Sequence, residues 1–192
     1  MNESEPTYLT GKLLLAMPSI GDPRFRRSVI FMAAHDENGA MGLVINNDLP
    51  DMDFSQLLAQ LNINSDIELD LGANMPVMNG GPVEISRGFL LHSAEFKQDD
   101  TISVDDTFSI TGTTDALKDV ANGKGPEKAL FILGYAGWTP GQLEQELQQN
   151  SWLVLDPDAA LVFHDKNDEK WDMAIAKLGV DPAMLSGDIG RA

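Results

Sequence analysis

Turn-forming residues divide this chain into short apolar segments, and that division restricts its fold more than any other feature. The clearest case is the pair of apolar segments 28–34 and 40–45, which flank Asp-Glu-Asn-Gly at residues 36–39. An Asn-Gly pair between two apolar runs is the strongest short-range signal for a β-hairpin, because both residues accept the backbone angles of a tight turn. The sequence therefore predicts that these two segments are paired strands of a sheet.

Amphipathic segments predict several helices packed on that sheet. The segment after Asp53 repeats apolar residues at helical spacing, namely Phe54, Leu57, Leu58 and Leu61. Three more helices are predicted, capped by Thr113, by Thr139, where Pro140 and Gln142 complete a capping box, and by Asn167. The last of them places its apolar residues on one face, namely Trp171, Ala174, Ile175 and Leu178. Further strands are predicted at residues 13–17, 88–92, 107–111, 129–133, 152–155 and 160–164.

The order of these segments decides the fold class. Hairpin-spaced strands and helices that do not alternate regularly favour an α+β fold over a doubly wound parallel sheet. No repeat, low-complexity tract or linker interrupts the 192 residues. We therefore expect a single compact domain over residues 1–192, with loose ends at about 1–8 and 186–192.

Composition excludes several classes of function. The chain has no cysteine, so disulfides, a thiolate nucleophile and iron–sulfur clusters are excluded, and a cytoplasmic location is favoured. Its formal net charge of -17 repels phosphate backbones, so we do not expect direct binding of nucleic acid. The N-terminus lacks a signal-peptide pattern, and the longest nearly apolar run, 129–138, is far short of a bilayer-spanning helix.

Three of the five arginines, Arg24, Arg26 and Arg27, stand within four residues beside Asp22. Guanidinium groups bind carboxylates and phosphates through paired hydrogen bonds, so this cluster is a candidate anion site. The alternative is that the arginines pair with neighbouring carboxylates and serve the structure only.

Two glycine-rich segments are further candidates. Asn79, Gly80 and Gly81 precede Pro82 in a turn whose backbone N–H groups could face an anion, with Arg87 close by. The alternative is a tight turn without a ligand.

Residues 134–141 are predicted to form a loop that combines three glycines with Tyr135 and Trp138 before a helix that contains Gln142. The two aromatic rings could line a pocket at the start of that helix. The glycines could equally serve only close packing of the backbone.

No motif for a metal, a nucleotide or a known nucleophile is present in the sequence. We expect neither a bound metal nor a cofactor. His92, beside Ser93 and Glu95 at the end of a predicted strand, is the best candidate for acid–base catalysis. The alternative is a structural histidine bonded to a backbone carbonyl.

Several blocks of the sequence, taken together and in order, resemble the bacterial YqgE/AlgH family. The blocks are residues 11–18, 22–28, 39–46, 80–83, 91–92 and 134–144, within a match that runs from about residue 9 to 179. The resemblance implies an α+β fold in which helices surround a bifurcated, barrel-like mixed sheet, and a cytosolic bacterial protein. It implies no established activity, because one branch is labelled a regulator of alginate synthesis and most members are uncharacterised.

The function expected first is a non-enzymatic binding or regulatory module. Its ligand would be a small anion or a protein partner, bound in a groove between residues 24–27, 79–82 and 134–141. A hydrolase or transferase that uses His92 as general base is the alternative. Direct regulation of transcription comes third, because the helix after Thr139 carries acidic residues and no Lys or Arg up to Gln149. The sequence does not determine the oligomeric state.

Overall fold

Ten strands and five α-helices form within residues 7–64, 75–181 and 185, the part of the chain that the computed structural model describes. The strands are β1 (Leu13–Ala16), β2 (Val29–Asp36), β3 (Gly39–Val44), β4 (Asp48–Asp53), β5 (Pro76–Asn79), β6 (Val83–Ser93), β7 (Ile102–Ser103), β8 (Phe108–Thr111), β9 (Ala129–Trp138) and β10 (Trp152–Leu155). The helices are α1 (Phe54–Gln60), α2 (Thr114–Ala121), α3 (Gln142–Gln148), α4 (Ala159–Val162) and α5 (Lys170–Lys177), and short 3-10 turns lie at Pro23–Phe25 and Asn167–Glu169. Apart from residues 7 and 8, the predicted loose ends lie outside the described residues.

The predicted hairpin is confirmed. β2 and β3 pair antiparallel around the Asn-Gly turn, with Asp36 opposite Gly39 and Ile30 opposite Val44. The pairing continues outward from β2 through β1 to β10. On the other side of β3 the order runs through β9, β6 and β8 to β7, so the sheet has both sequence-local and long-range pairs.

Strand β9 divides the sheet into two branches. Along its second half it pairs antiparallel with β3, where Met41 lies opposite Gly137. Along its first half the same edge pairs in parallel with β5, where Val77 lies opposite Phe131, and β6 takes the other edge. Because β3 and β5 share one edge of β9, the sheet is bifurcated and mixed, as the family resemblance implies.

The branch point requires two backbones to pass in contact. A Cβ atom at Gly80 would lie 2.3 Å from the carbonyl oxygen of Gly134, and one at Gly81 would lie 2.2 Å from the carbonyl carbon of Tyr135. Gly81 also has a φ of +148°, a backbone conformation that residues with a Cβ atom rarely adopt. The double glycine therefore lets the end of β5 cross β9.

Helices cover the curled sheet on both faces, as expected for an α+β fold. Helices α4 and α5 close the inner core, where Trp171 and Ile175 pack with residues of β1, β2, β6 and β9. Helix α3 covers the outer face of the first branch through Leu143. Helices α1 and α2 cover the second branch, where Phe54 and Leu117 pack in the same cluster. These layers bury the apolar stripes that the sequence displays.

Three predicted assignments of secondary structure are wrong. The segment 160–164, predicted as a strand, is not one: residues 160–162 belong to α4, because the carboxylate of Asp158 caps that helix by accepting from the N–H of Leu161. Residues 134–138, predicted as a loop, are the second half of β9. Asn167 does not cap a helix; it opens a 3-10 turn before α5, and its buried side chain bonds to Asp48.

The helix predicted to start at Thr139 begins two residues later than expected. The N–H of Gln142 donates to the carbonyl oxygen of Thr139, and Gly141 has a φ of +77°. Proline followed by a glycine of positive φ makes a type II turn, so Pro140 is a turn residue and not the first helical residue. Half of the predicted capping box survives, since the side chain of Gln142 accepts from the N–H of Thr139.

Candidate functional site

Residues 22–27, here called the arginine loop, hold their three guanidinium groups in different ways. Asp22 caps the 3-10 turn by accepting from the backbone N–H of Arg24, and its carboxylate lies 2.6 Å from the guanidinium of Arg24. These hydrogen bonds lower the pKa of Asp22 and raise that of Arg24. For Arg24, the structure therefore agrees with the structural alternative, which is pairing with a neighbouring carboxylate.

Arg27 is fixed between an aromatic ring and a carboxylate. Its guanidinium carbon lies 4.4 Å from the ring centre of Trp171, and one of its nitrogens lies 2.6 Å from the carboxylate of Asp172. The indole N–H of Trp171 donates to the carbonyl oxygen of Ala16 at 3.0 Å. The stacked pair is thus anchored to β1, which fixes one wall of the space beside the loop.

Arg26 is the remaining member, and its side chain is exposed. Among the described residues it forms neither an ion pair nor a side-chain hydrogen bond. A cavity of about 560 Å³, here called the arginine cavity, is lined by Ala16, Pro18, Ile20, Gly21, Pro23, Arg26, Arg27 and Trp171. The cavity is therefore mostly apolar and has one guanidinium group free to bind a ligand.

Residues 46 and 47 connect the arginine loop to the predicted Asn79 turn. Asn46 accepts from the N–H of Val29 and donates to the carbonyl oxygen of Arg27 at 2.9 Å. The next carbonyl, that of Asn47, accepts from the N–H of Asn79 at 2.7 Å. The arginine loop and the Asn79 turn are therefore neighbours, and hydrogen bonds from residues 46 and 47 link them.

The Asn79 turn does not present its glycine N–H groups to a ligand, contrary to the prediction. The N–H of Gly80 donates to the carbonyl oxygen of Leu133 at 2.8 Å, and that of Gly81 donates to the side chain of Asn79 at 3.2 Å. Both donors are used within the protein. The alternative of a ligand-free turn fits the geometry, because the glycines are needed where β5 crosses β9.

Arg87 and Tyr135 form a second cluster, apart from the arginine cavity. The hydroxyl of Tyr135 donates to the carboxylate of Glu84 at 2.9 Å, and Arg87 binds the same oxygen at 3.2 Å. The bond from Tyr135, followed by that from Arg87, lowers the pKa of Glu84. Arg87 also lies over the ring of Phe89. Its charge is therefore already paired.

Trp138 and Gln142 belong to a third cluster, around the carboxylate of Glu146. The indole N–H groups of Trp138 and Trp152 donate to one oxygen of Glu146, at 2.9 and 2.7 Å, and Gln142 donates to the other. Trp138 packs with the outer core cluster and Tyr135 with the inner one, so the two rings do not line one pocket. The edge-on contact of Trp152 with Phe25 places this cluster behind the arginine loop.

The predicted single groove is therefore not formed. Of its three segments, only the arginine loop lines the arginine cavity. Residues 79–81 lie next to the loop but have their N–H groups bonded within the protein, and Tyr135 and Trp138 of the segment 134–141 pack with different core clusters.

His92 does not have the surroundings of an acid–base catalyst. The side chain is wholly buried in β6, with its Nδ1 2.9 Å from the carbonyl oxygen of Ser93 and its Nε2 2.8 Å from the hydroxyl of Thr111. Burial lowers its pKa. His92 lines none of the three cavities described within residues 7–64, 75–181 and 185. The geometry supports the structural alternative.

Comparison with known proteins identifies the family. A sequence model described as AlgH-like matches residues 13–183, which is most of the chain. The chain belongs to the AlgH-like family. Among AlgH-like relatives, a UPF0301 protein of Bradyrhizobium diazoefficiens is 49% identical over 194 residues, covering 98% of this chain and 91% of the relative. A UPF0301 protein of Ruegeria pomeroyi is 49% identical over 185 residues, covering 96% and 99%.

Solved structures confirm the AlgH-like fold. The solution structure of AlgH from Pseudomonas aeruginosa is 38% identical, with a TM-score of 0.77 and complete coverage of both chains. A crystal structure of a Corynebacterium diphtheriae protein is 19% identical, with a TM-score of 0.71 and coverage of 97% and 94%. At that identity, the second likeness shows the fold alone. None of these names states an activity.

The sequence patterns did not predict a buried amine next to Trp171, the residue of α5 that lines the arginine cavity of this AlgH-like protein. Lys170, which precedes Trp171, is wholly buried and donates to the carbonyl oxygen of Ile45 at 2.9 Å. Desolvation lowers its pKa to about 8, against the opposing attraction of Asp48 and Asp165. One signal could have found it, since Lys170 stands one helical turn before Ala174, on the face predicted to be buried.

The second cavity of the AlgH-like chain, beside α4 and β9, contains none of the ligand-binding residues predicted from the sequence. Its volume is about 850 Å³, larger than that of the arginine cavity. Within the described ranges, no group of three or more His, Asp or Glu side chains is placed to hold a metal ion. No helix in those same ranges is long and apolar enough to cross a membrane.

Proposed function

We propose that this AlgH-like protein is a non-enzymatic binding module of the cytoplasm, whose ligand places a negatively charged group against Arg26 in the arginine cavity. One observation carries the proposal. Arg24 and Arg27 are bound to carboxylates, whereas Arg26 lines a cavity of about 560 Å³ without a partner among the described residues. A volume of this size is typical of sites for small organic ligands.

The surroundings of Arg26 support binding without a large rearrangement. Asp22 caps the turn before it, and Asn46 holds the carbonyl oxygen of Arg27 after it. Phe25 lies edge-on against Trp152, which is itself held by Glu146. Because the loop is fixed on three sides, Arg26 loses little backbone freedom when a ligand binds.

A small anion is favoured over a nucleic acid or other polyanion. The chain carries 30 acidic and 13 basic residues, so its overall field repels extended negative charge, whereas a single guanidinium binds one carboxylate or phosphate at short range. A regulatory role would then depend on ligand occupancy or on a protein partner that offers an acidic side chain to the same cavity. Direct reading of DNA is disfavoured on the same grounds.

The experiment is a titration of the purified protein with a panel of small metabolite anions and with cytosolic extract, followed by calorimetry of any hit. We expect Arg26→Ala to weaken binding at least tenfold. Arg24→Ala is the matched control, because it removes the same charge from the same loop without removing a lining residue, and we expect it to change affinity less than twofold. Binding that Arg26→Ala leaves unchanged would overturn the proposal.

A further inference from the structure

We infer that the ligand of the arginine cavity is a monocarboxylic acid with an aromatic or branched hydrocarbon body. This inference rests on the proposed function and names the chemical class that the cavity selects. Arg26 would bind the carboxylate, and the apolar wall formed by Pro18, Ile20 and Pro23 would cover the body.

The charge balance of the cavity points to a single negative charge. The ion pairs of Arg24 with Asp22 and of Arg27 with Asp172 are complete within the protein, which leaves only the charge of Arg26. One guanidinium can form two parallel hydrogen bonds to one carboxylate. Every further negative charge on the ligand would meet the field of a chain of net charge -17, and the described residues that line the cavity offer no second unpaired cation.

The polarity of the wall points to an apolar body. Apart from the two arginines, the cavity is lined only by alanine, proline, isoleucine, glycine and tryptophan. The indole N–H of Trp171 is already bonded to Ala16, and one face of its ring is covered by Arg27. Hydroxyl groups of a sugar or nucleotide would lose water there without gaining side-chain partners, which costs about 1–3 kcal/mol for each unpaired group. A hydrocarbon body has no such cost and is stabilised by burial.

The test compares four probes by calorimetry: 2-naphthylacetate, its neutral amide 2-naphthylacetamide, acetate, and inorganic phosphate. We expect 2-naphthylacetate to bind at least tenfold more tightly than each of the other three. The amide keeps the hydrocarbon body and loses the charge, whereas acetate keeps the charge and loses the body. The two comparisons therefore measure the contributions of Arg26 and of the apolar wall separately.

Variants assign those contributions to residues. Arg26→Ala is expected to bring 2-naphthylacetate to the affinity of its amide, and Arg24→Ala to leave the tenfold preference in place. Ile20→Thr keeps a branched side chain but adds a hydroxyl, and it is expected to weaken 2-naphthylacetate at least threefold while acetate binding is unchanged. Far-ultraviolet circular dichroism and urea unfolding of each variant establish that it is folded before titration.

The outcomes separate this inference from the proposed function. If acetate or phosphate binds as tightly as 2-naphthylacetate, and Arg26→Ala abolishes that binding, the anion site stands and the monocarboxylate inference is overturned. If no probe binds while the metabolite panel yields a ligand that depends on Arg26, only the monocarboxylate inference is overturned. If 2-naphthylacetate binds equally well to Arg26→Ala, both the inference and the proposed function are overturned.

Discussion

The buried amine of Lys170 makes the free energy of unfolding depend on pH in the alkaline range. In the folded protein its pKa is lowered to about 8 from an ordinary value of 10.5, because burial disfavours the charged form. Between these two values the unfolded chain holds the proton and the folded chain has released it. Since the unfolded state binds more protons there, the free energy of unfolding rises with pH across this window.

The magnitude follows from the size of the pKa shift. Each pKa unit corresponds to ~1.4 kcal/mol, so Lys170 should add about 3 kcal/mol to the free energy of unfolding between pH 8 and 10.5. Below pH 8 the amine is charged in both states, and the folded state carries the full cost of its burial. Lys170→Met keeps the length of the side chain and removes the titrating group, so this increase should disappear.

The assay is urea unfolding followed by circular dichroism at half-unit steps from pH 7.5 to 10.5. The wild-type free energy of unfolding should rise relative to Lys170→Met by about 3 kcal/mol across the series. Lys118→Met, which removes a lysine from the exposed surface of α2, is the control and should leave the wild-type profile in place. Parallel profiles for the wild type and Lys170→Met would refute the reasoning, since the buried amine would then not titrate in this window.

Three further substitutions test other parts of the structure. Gly80→Ala should lower the free energy of unfolding by about 2–3 kcal/mol, measured in urea, because its Cβ would meet the carbonyl oxygen of Gly134 at 2.3 Å; unchanged stability would contradict the described crossing. Glu146→Ala should lower it by about 2–3 kcal/mol, followed by tryptophan fluorescence, because two indole N–H groups lose their acceptor. His92→Ala should cost about 2–3 kcal/mol, because it removes a wholly buried side chain and one of the two hydrogen-bond partners of the Thr111 hydroxyl. The calorimetric affinity of that variant for 2-naphthylacetate should equal that of the wild type, and a large loss of affinity would restore a functional role for His92.

Local signals in the sequence were sufficient for the elements that local interactions determine. The Asn38-Gly39 hairpin and the helix capped by Asp53 both follow from residues a few positions apart, and both are present. The prediction of a strand at 160–164 was wrong because a run of four to five apolar residues fits a buried strand or a buried helix equally well. Only the helix cap at Asp158 distinguishes the helix from the strand.

The candidate site was predicted less completely, because its decisive contacts join distant parts of the chain. The arginine loop is visible in the sequence, but the ion pair that occupies Arg27 comes from Asp172, about 145 positions away. The double glycine indicates an unusual backbone conformation. The contact that requires it, with the backbone of Gly134, cannot be predicted from sequence spacing. The sequence therefore indicated the candidate residues but not which of them already have partners within the protein.

The division of the sheet at β9 has a consequence for how the chain acquires its structure. Met41 pairs with Gly137 across about a hundred positions, and Val77 pairs with Phe131 across about fifty. Both branches of the sheet can therefore form only after β9, which comes late in the chain, has joined them. Neither half can close its apolar interior beforehand, and a fragment that ends before residue 129 lacks the strand common to both. We expect such fragments to aggregate and the intact chain to melt in one cooperative step, with no separately stable half.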